Sequence, residues 1–185
     1  MNIVKVVPWN TKLPMKKAKI HLHNNVIDCN YNVLHIIIYL KYYNIILYYN
    51  MKILIGCDHA GYQLKEKIKE YLTTHYNYTI YDVGCFDENK CDYPIIVDKV
   101  CTKLILHDIG ILICNTGIGM SIRANRYNSI RCALCHNIVT AELGRKHNNA
   151  NVLALGSKII DTDTAIKIVS VFLNTKFEGE KIRFE

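Results

Sequence analysis

From Met51 onward, short apolar runs alternate with stretches in which apolar residues recur every three or four positions. The runs Lys52–Cys57, Tyr78–Val83, Ile109–Cys114, Arg131–Cys135 and Asn151–Leu155 read as strands. His59–His75 sets Leu64, Ile68, Tyr71 and Leu72 on one face and Lys65, Glu66, Lys69 and Glu70 elsewhere, the pattern of an amphipathic helix. Pro94, tolerated in a first helical turn, opens a second helix over Pro94–Leu106. A third helix begins near Gly117 and a fourth covers Ile138–Lys146. The last runs from about Asp163 to Asn174, capped by Asp161 or Thr162, with Ile166, Val169 and Leu173 facing inward. Five strand–helix units predict an α/β fold: a doubly wound, Rossmann-like, five-stranded parallel sheet with helices on both faces.

Residues 1–50 break that pattern. They are rich in Asn, Ile, Tyr and Lys, show no clean period, and are expected to be an N-terminal extension: a disordered segment, an organellar leader, or sequence outside the fold of residues 51–185. Val33–Tyr49 is apolar, but His35, Lys41 and Asn44 make it a poor membrane span, and no small-residue cleavage site follows. The formal charge of +7 is concentrated here, because six lysines face only Asp28 and leave +2 for the remainder. The folded part is thus nearly neutral, and the basic balance does not argue for nucleic acid. The eight cysteines are scattered, with Cys57, Cys114 and Cys135 in or at the ends of strands, which favours buried reduced thiols and a cytoplasmic setting, or an organelle if the leader is real. Cys132 and Cys135 form a C-x-x-C without a second pair at zinc-ribbon spacing, so no metal site is expected.

The chemistry is expected at the carboxyl ends of the strands, where parallel sheets bind ligands. Cys57-Asp58-His59 follows the first strand, Cys114-Asn115-Thr116 the third and Gly156-Ser157-Lys158 the fifth. Cys114 opens into a small-residue loop, Asn115-Thr116-Gly117-Ile118-Gly119, whose amides can hold an anion. A helix N-terminus lowers a thiol pKa from about 8.5 toward neutrality, so a cysteine placed there suits proton abstraction. The same residues have plainer readings: a strand-end cysteine is often a small buried hydrophobe, Asp58 can cap a helix, and His147 can sit at a helix end. Gly117 and Gly119 supply two glycines of a dinucleotide fingerprint, but Ile122 fills the third place and no acid ends the next strand. Without a Gly-Lys-Ser/Thr either, the loop is built for a small oxyanion rather than NAD or ATP. His147-Asn148 precedes the fifth strand, at its opposite end, and would meet Cys114 from a neighbouring subunit.

The runs Gly56-Cys57-Asp58-His59-Ala60-Gly61, Asp92-Tyr93-Pro94, Cys114-Asn115-Thr116-Gly117-Ile118-Gly119, Arg145-Lys146-His147-Asn148 and Asn151–Ser157 resemble type B ribose-5-phosphate isomerases. These belong to a sugar-phosphate isomerase family shared with the galactose-6-phosphate isomerase subunits, and the resemblance covers about residues 51–182. It implies a metal-free, cofactor-free interconversion of ribose 5-phosphate and ribulose 5-phosphate through a cis-enediol(ate). Cys114 would be the base, Thr116 and the loop amides the oxyanion cradle, and His147 with Asp58 the ring-opening pair. His59, Tyr93, Asn115, Gly117, Ile118, Gly119, Asn148, Lys158, Lys181 and Arg183 match substrate-binding positions. Asn115 stands where relatives often carry glycine, and Lys158 and Lys181 where arginines commonly hold phosphate. A homodimer or dimer of dimers with shared sites is implied. The alternatives are a galactose-6-phosphate or other hexose-phosphate isomerase of the same family, or a non-catalytic sugar-phosphate-binding module.

Overall fold

A computed structural model describes residues 18–22, 25–29, 51–104 and 108–179. The chain divides into two units, Met1–Tyr49 and Asn50–Glu185. Among the described residues of the first, β1 (Ala18–Leu22) and β2 (Asn25–Cys29) pair antiparallel, with Ile20 opposite Ile27 and Lys19 opposite Asp28. The apolar alternation Ala18-Ile20-Leu22 fits a strand, a period-2 signal too short to stand out in the surrounding run.

In the second unit, β3 (Lys52–Cys57), β4 (Thr79–Asp82), β5 (Ile109–Cys114), β6 (Cys132–Leu134) and β7 (Val152–Gly156) form one parallel sheet in the order β4-β3-β5-β7-β6. Every residue of β5 and β7 is buried, which is why these strands are continuous apolar runs. The edge strands β4 and β6 are partly exposed, and each is two residues shorter than its apolar run suggests, one at either end.

A 3-10 turn (His59–Gly61) leads into α1 (Tyr62–His75), and α2 (Tyr93–Lys103), α3 (Ile118–Ala124), α4 (Ile138–Lys146) and α5 (Thr162–Asn174) complete the layers. α2 lies on the face that Gly56 and Gly110 leave open: a methyl on Gly56 would come within 2.7 Å of Ile96. Asp161 caps α5 by accepting the Thr164 amide at 2.7 Å. Its buried face is Ala165, Ile168, Val169, Phe172 and Leu173, so Ile166, expected inward, is only partly covered.

One larger departure is Lys65. The helical pattern sets it outward, yet it is 0% exposed, with Nζ donating to Asp82 (2.9 Å) and to the Cys85 carbonyl (2.7 Å) beneath the rings of Tyr62 and Phe86. The segment after β4 folds over α1 and seals the ammonium in. Carboxylate, carbonyl and two ring faces take the place of water around it. That segment is also tied by a disulfide between Cys85 and Cys91, Cα atoms 6.5 Å apart, which corrects the expectation of uniformly reduced cysteines. Cys57, Cys101, Cys114, Cys132 and Cys135 are free thiols.

The strand order reverses direction at β3 and β5. β4 follows β3 on one side of the sheet, whereas the connection leaving β5 runs toward β6 on the other. The crevice outside their carboxyl ends is therefore the topological switch point, the ligand position of open α/β sheets.

Candidate active site

Cys114 is the last residue of β5 and pairs in register with Gly156 of β7, while Cys57, ending β3, pairs with Ile113. The two cysteines differ in surroundings. Cys57 is sealed in the core, its Sγ 3.6 Å from the Cys85 carbonyl, and burial pushes its thiol up to about 12. Cys114 is 6% exposed, and its sulfur accepts the Gly117 amide at 3.1 Å, a donor aimed where a thiolate places its charge.

The loop after Cys114 is shaped by close approach. Gly117 has φ +78°, and a methyl there would meet Leu134 Cδ1 at 2.5 Å and the Leu155 backbone at 2.9 Å. Only glycine holds that left-handed turn against β7 without strain. At Gly119 the obstacle is the Tyr93 ring, whose Cζ would lie 2.9 Å from an added Cβ. Tyr93, the first residue of α2, is thereby packed onto the glycine loop. The Thr116 hydroxyl accepts the Ile118 amide at 3.3 Å. Two amides of the expected cradle thus already have acceptors: Gly117 serves the sulfur and Ile118 serves Thr116. Asn115 and Ile118 project their side chains into solvent.

Asp58 and His59 lie on the adjoining strand end. The Asp58 amide donates to the Ile113 carbonyl at 3.1 Å, placing Asp58 one residue from Cys114 across the β3–β5 seam. Its Oδ1 accepts the Gly61 amide at 3.0 Å, so the capping role is real. Burial nonetheless holds the carboxyl above the usual carboxylate range, outweighing the Gly61 amide and the nearby His59 and Ala60. A carboxyl displaced toward neutrality is better suited to exchanging protons than a fully solvated one. His59 is exposed, its Nδ1 3.4 Å from the amide nitrogen and the carbonyl oxygen of Cys91, so the disulfide-closed loop borders the imidazole.

Ser157 joins these segments, a role the sequence pattern left unassigned. Its amide donates to the Cys114 carbonyl (2.8 Å) and its hydroxyl to the Ala60 carbonyl (2.8 Å), while the Lys158 amide donates to the Asn115 carbonyl (3.0 Å). The signal was its position directly after β7 on the reactive rim. Ser157→Ala is expected to lower stability by about 1 kcal/mol, the usual worth of one partly buried hydrogen bond, measured by denaturant unfolding. An unchanged midpoint would show that the hydroxyl does not brace the rim. Beside Ser157 a cleft of about 680 Å³ opens, lined by His59, Gln63, Lys67, Glu88, Lys158 and Asp161 among others. Cys114 does not line it.

His147 and Asn148 are not part of this rim. Both are exposed, and they stand between α4 and β7, five and four residues ahead of Val152, which pairs with Gly110 at the start side of β5. Lys181 and Arg183 lie outside the described residues. Among the described residues no three His, Cys, Asp or Glu side chains converge as a metal site would require, and no helix is long and apolar enough to cross a membrane.

The geometry has known counterparts. A family model described as Ribose/Galactose Isomerase matches residues 53–184. The chain belongs to this family. A Rickettsia bellii member, whose provisional name is sugar phosphate isomerase with no sugar specified, is 50% identical over 129 residues, 69% of this chain and 89% of that protein. Ribose-5-phosphate isomerase B of Escherichia coli is 38% identical over 130 residues, 69% of this chain and 87% of that protein. The crystal structure of a ribose 5-phosphate isomerase from Thermotoga maritima superposes with a TM-score of 0.69 at 45% identity, covering 71% of this chain and 91% of that one. As a ribose/galactose isomerase family member, the chain places its sheet, switch-point crevice and glycine loop within the matched residues.

Proposed function

We propose that this chain interconverts ribose 5-phosphate and ribulose 5-phosphate, the step that links aldose and ketose in non-oxidative pentose phosphate metabolism. The observation that carries the reading is the Cys114 sulfur at the switch-point rim, held by the Gly117 amide beside the Thr116 hydroxyl. Cys114, as thiolate, takes the proton from C2 and returns it to C1, so the carbon–hydrogen bond broken at one carbon is remade at its neighbour. The electron pair rests meanwhile in a cis-enediolate, whose oxyanion the Thr116 hydroxyl and the loop amides stabilise while the proton of the C2 hydroxyl passes to the C1 oxygen. Asp58 and His147 move protons between the ring oxygen and the anomeric hydroxyl to open the furanose. His59, Lys158, Lys181 and Arg183 take the phosphate, and Tyr93, Asn115, Ile118 and Asn148 line the sugar. Chemistry of this kind calls on no metal or organic cofactor.

His147 stands on the far rim of its own subunit, so a second copy of the chain supplies it. Exposed apolar side chains support such pairing: Ile95 on α2, Ile118 and Ile122 on α3, and Ile138, Val139 and Leu143 on α4 are all more than two-fifths open to solvent. The working unit is a homodimer or a dimer of dimers in a soluble compartment.

The pentose reading is favoured over a hexose one by relatives named for ribose 5-phosphate at 38% and 45% identity. The test is to incubate the purified chain with ribose 5-phosphate and, separately, with galactose 6-phosphate and follow ketose formation by NMR. We expect ribulose 5-phosphate to form at least about tenfold faster than the hexulose phosphate, a difference within reach of pocket discrimination. Preferred turnover of the hexose would replace the pentose assignment, and binding of both without turnover would make the chain a sugar-phosphate-binding module.

A further inference from the structure

His147 and Asn148 present exposed side chains from a backbone that is fixed on every side. The His147 amide donates to Leu143 (2.9 Å), the Asn149 amide to Arg145 (3.1 Å) and the Ala150 amide to Gly144 (3.0 Å). Asn149 turns the chain at φ 47°, a region that asparagine tolerates better than most residues with a side chain. The carbonyls are held as well. Asn149 accepts from Arg131 Nε at 2.7 Å, and Ala150 accepts from Arg145 Nη1 at 2.5 Å.

Arg145 reaches further than this loop. Its guanidinium stacks over the Phe172 ring with a centroid distance of 5.4 Å, and its Nε donates to the Thr175 carbonyl at 3.4 Å, at the end of α5. The chain after Thr175 returns to the same place. The Glu178 amide donates to the Lys146 carbonyl at 3.0 Å and its carboxylate pairs with Lys146 Nζ at 3.1 Å. Among the described residues no carboxylate forms an ion pair with Arg145, so its fork is spent on two backbone carbonyls from different elements. Burial and the charge of Arg131 both work against the protonated form, so this placement costs stability that the hydrogen bonds must offset.

We infer that Arg145 is a positioning residue for the proposed isomerisation: by clamping the Ala150 carbonyl against the end of α5, it fixes the imidazole of His147 for use in a second subunit's site. The inference rests on the function proposed above, in which His147 opens the sugar ring. A planar fork can satisfy two carbonyls in set directions, whereas a lysine ammonium offers a single point charge on a flexible stem. Misplacing a catalytic group by about 1 Å costs up to about 100-fold in rate.

The experiment compares wild type, His147→Ala, Arg145→Lys and the double variant, using two readouts. The first is conversion of ribose 5-phosphate to ribulose 5-phosphate. The second is deuterium uptake from D2O into C1 of ribulose 5-phosphate, which needs the enediolate but no ring step. Arg145→Lys is expected to lower kcat for conversion by about tenfold or more, with KM within about threefold and exchange near wild type. The double variant should be no slower than His147→Ala alone, since a residue acting through the imidazole adds nothing once the imidazole is gone. Equal losses in conversion and exchange, wild-type conversion by Arg145→Lys, or a multiplicative double variant would each overturn the inference. Wild-type conversion by His147→Ala would instead overturn the ring-opening assignment on which it rests.

Discussion

Cys114→Ser is expected to lower the turnover of ribose 5-phosphate by about 100- to 10,000-fold, the range over which a positioned base contributes, with KM changed only a few fold. Serine keeps the shape of the side chain and a hydrogen-bonding atom near the Gly117 amide, so the glycine loop should remain in place. What it lacks is a readily formed anion: an alcohol is a far weaker acid than a thiol and would be protonated at neutral pH. Deuterium exchange at C1 of ribulose 5-phosphate should fall by the same factor as conversion, because both pass through the same proton abstraction. That distinguishes Cys114 from Arg145 and His147, whose loss should leave exchange running. Conversion by Cys114→Ser within tenfold of wild type would remove the thiol from the role of base. A parallel loss of affinity and melting temperature would reduce it to packing.

The placement of Cys114 was legible because two independent patterns agree. The unbroken apolar runs of β5 and β7 fix them as central strands, and parallel pairing then brings Cys114, Asp58 and Ser157 to one rim. The Gly117 turn was readable as a small-residue loop, though not its contact with Leu134, which depends on where β6 lies. Lys65 was misplaced for a physical reason. Helical periodicity assigns charge outward when only α1 is considered, and nothing in α1 announces that Phe86 and the Cys85 carbonyl close over it. The Cys85–Cys91 disulfide is hidden in the same way, since spacing alone does not say which of eight cysteines meet. Arg145 is hidden because its partners are carbonyls 5 and 30 residues away, and backbone oxygens leave no mark in sequence. The residues that the chain pattern missed are therefore those that brace these segments through backbone oxygens, whereas Cys114, Asp58 and the glycine loop were readable from the strand ends.

A hetero-oligomer of Cys114→Ala and His147→Ala subunits should recover about half of the wild-type turnover, although each variant alone is nearly inactive. Within one chain, β7 runs from Val152, paired with Gly110, to Gly156, paired with Cys114. That span puts about 13 Å of strand between the two rims, and His147 lies five residues further back. Acid–base groups must approach the atoms they serve to about 3 Å, so an imidazole on the far rim cannot act on a sugar held at Cys114 of its own subunit. In a two-fold pair with shared sites, one site of the mixed species receives both defects and the other receives none. Co-expression with two different affinity tags, sequential purification and measurement of conversion give the result directly. Recovery near half requires sites built from two chains, with the thiol and the imidazole donated by different copies. Activity no higher than that of the separate variants would mean that each chain completes its own site. In that case His147 has no part in the chemistry at Cys114, and the exposed isoleucines of α2 and α3 cover something other than a neighbour's catalytic rim.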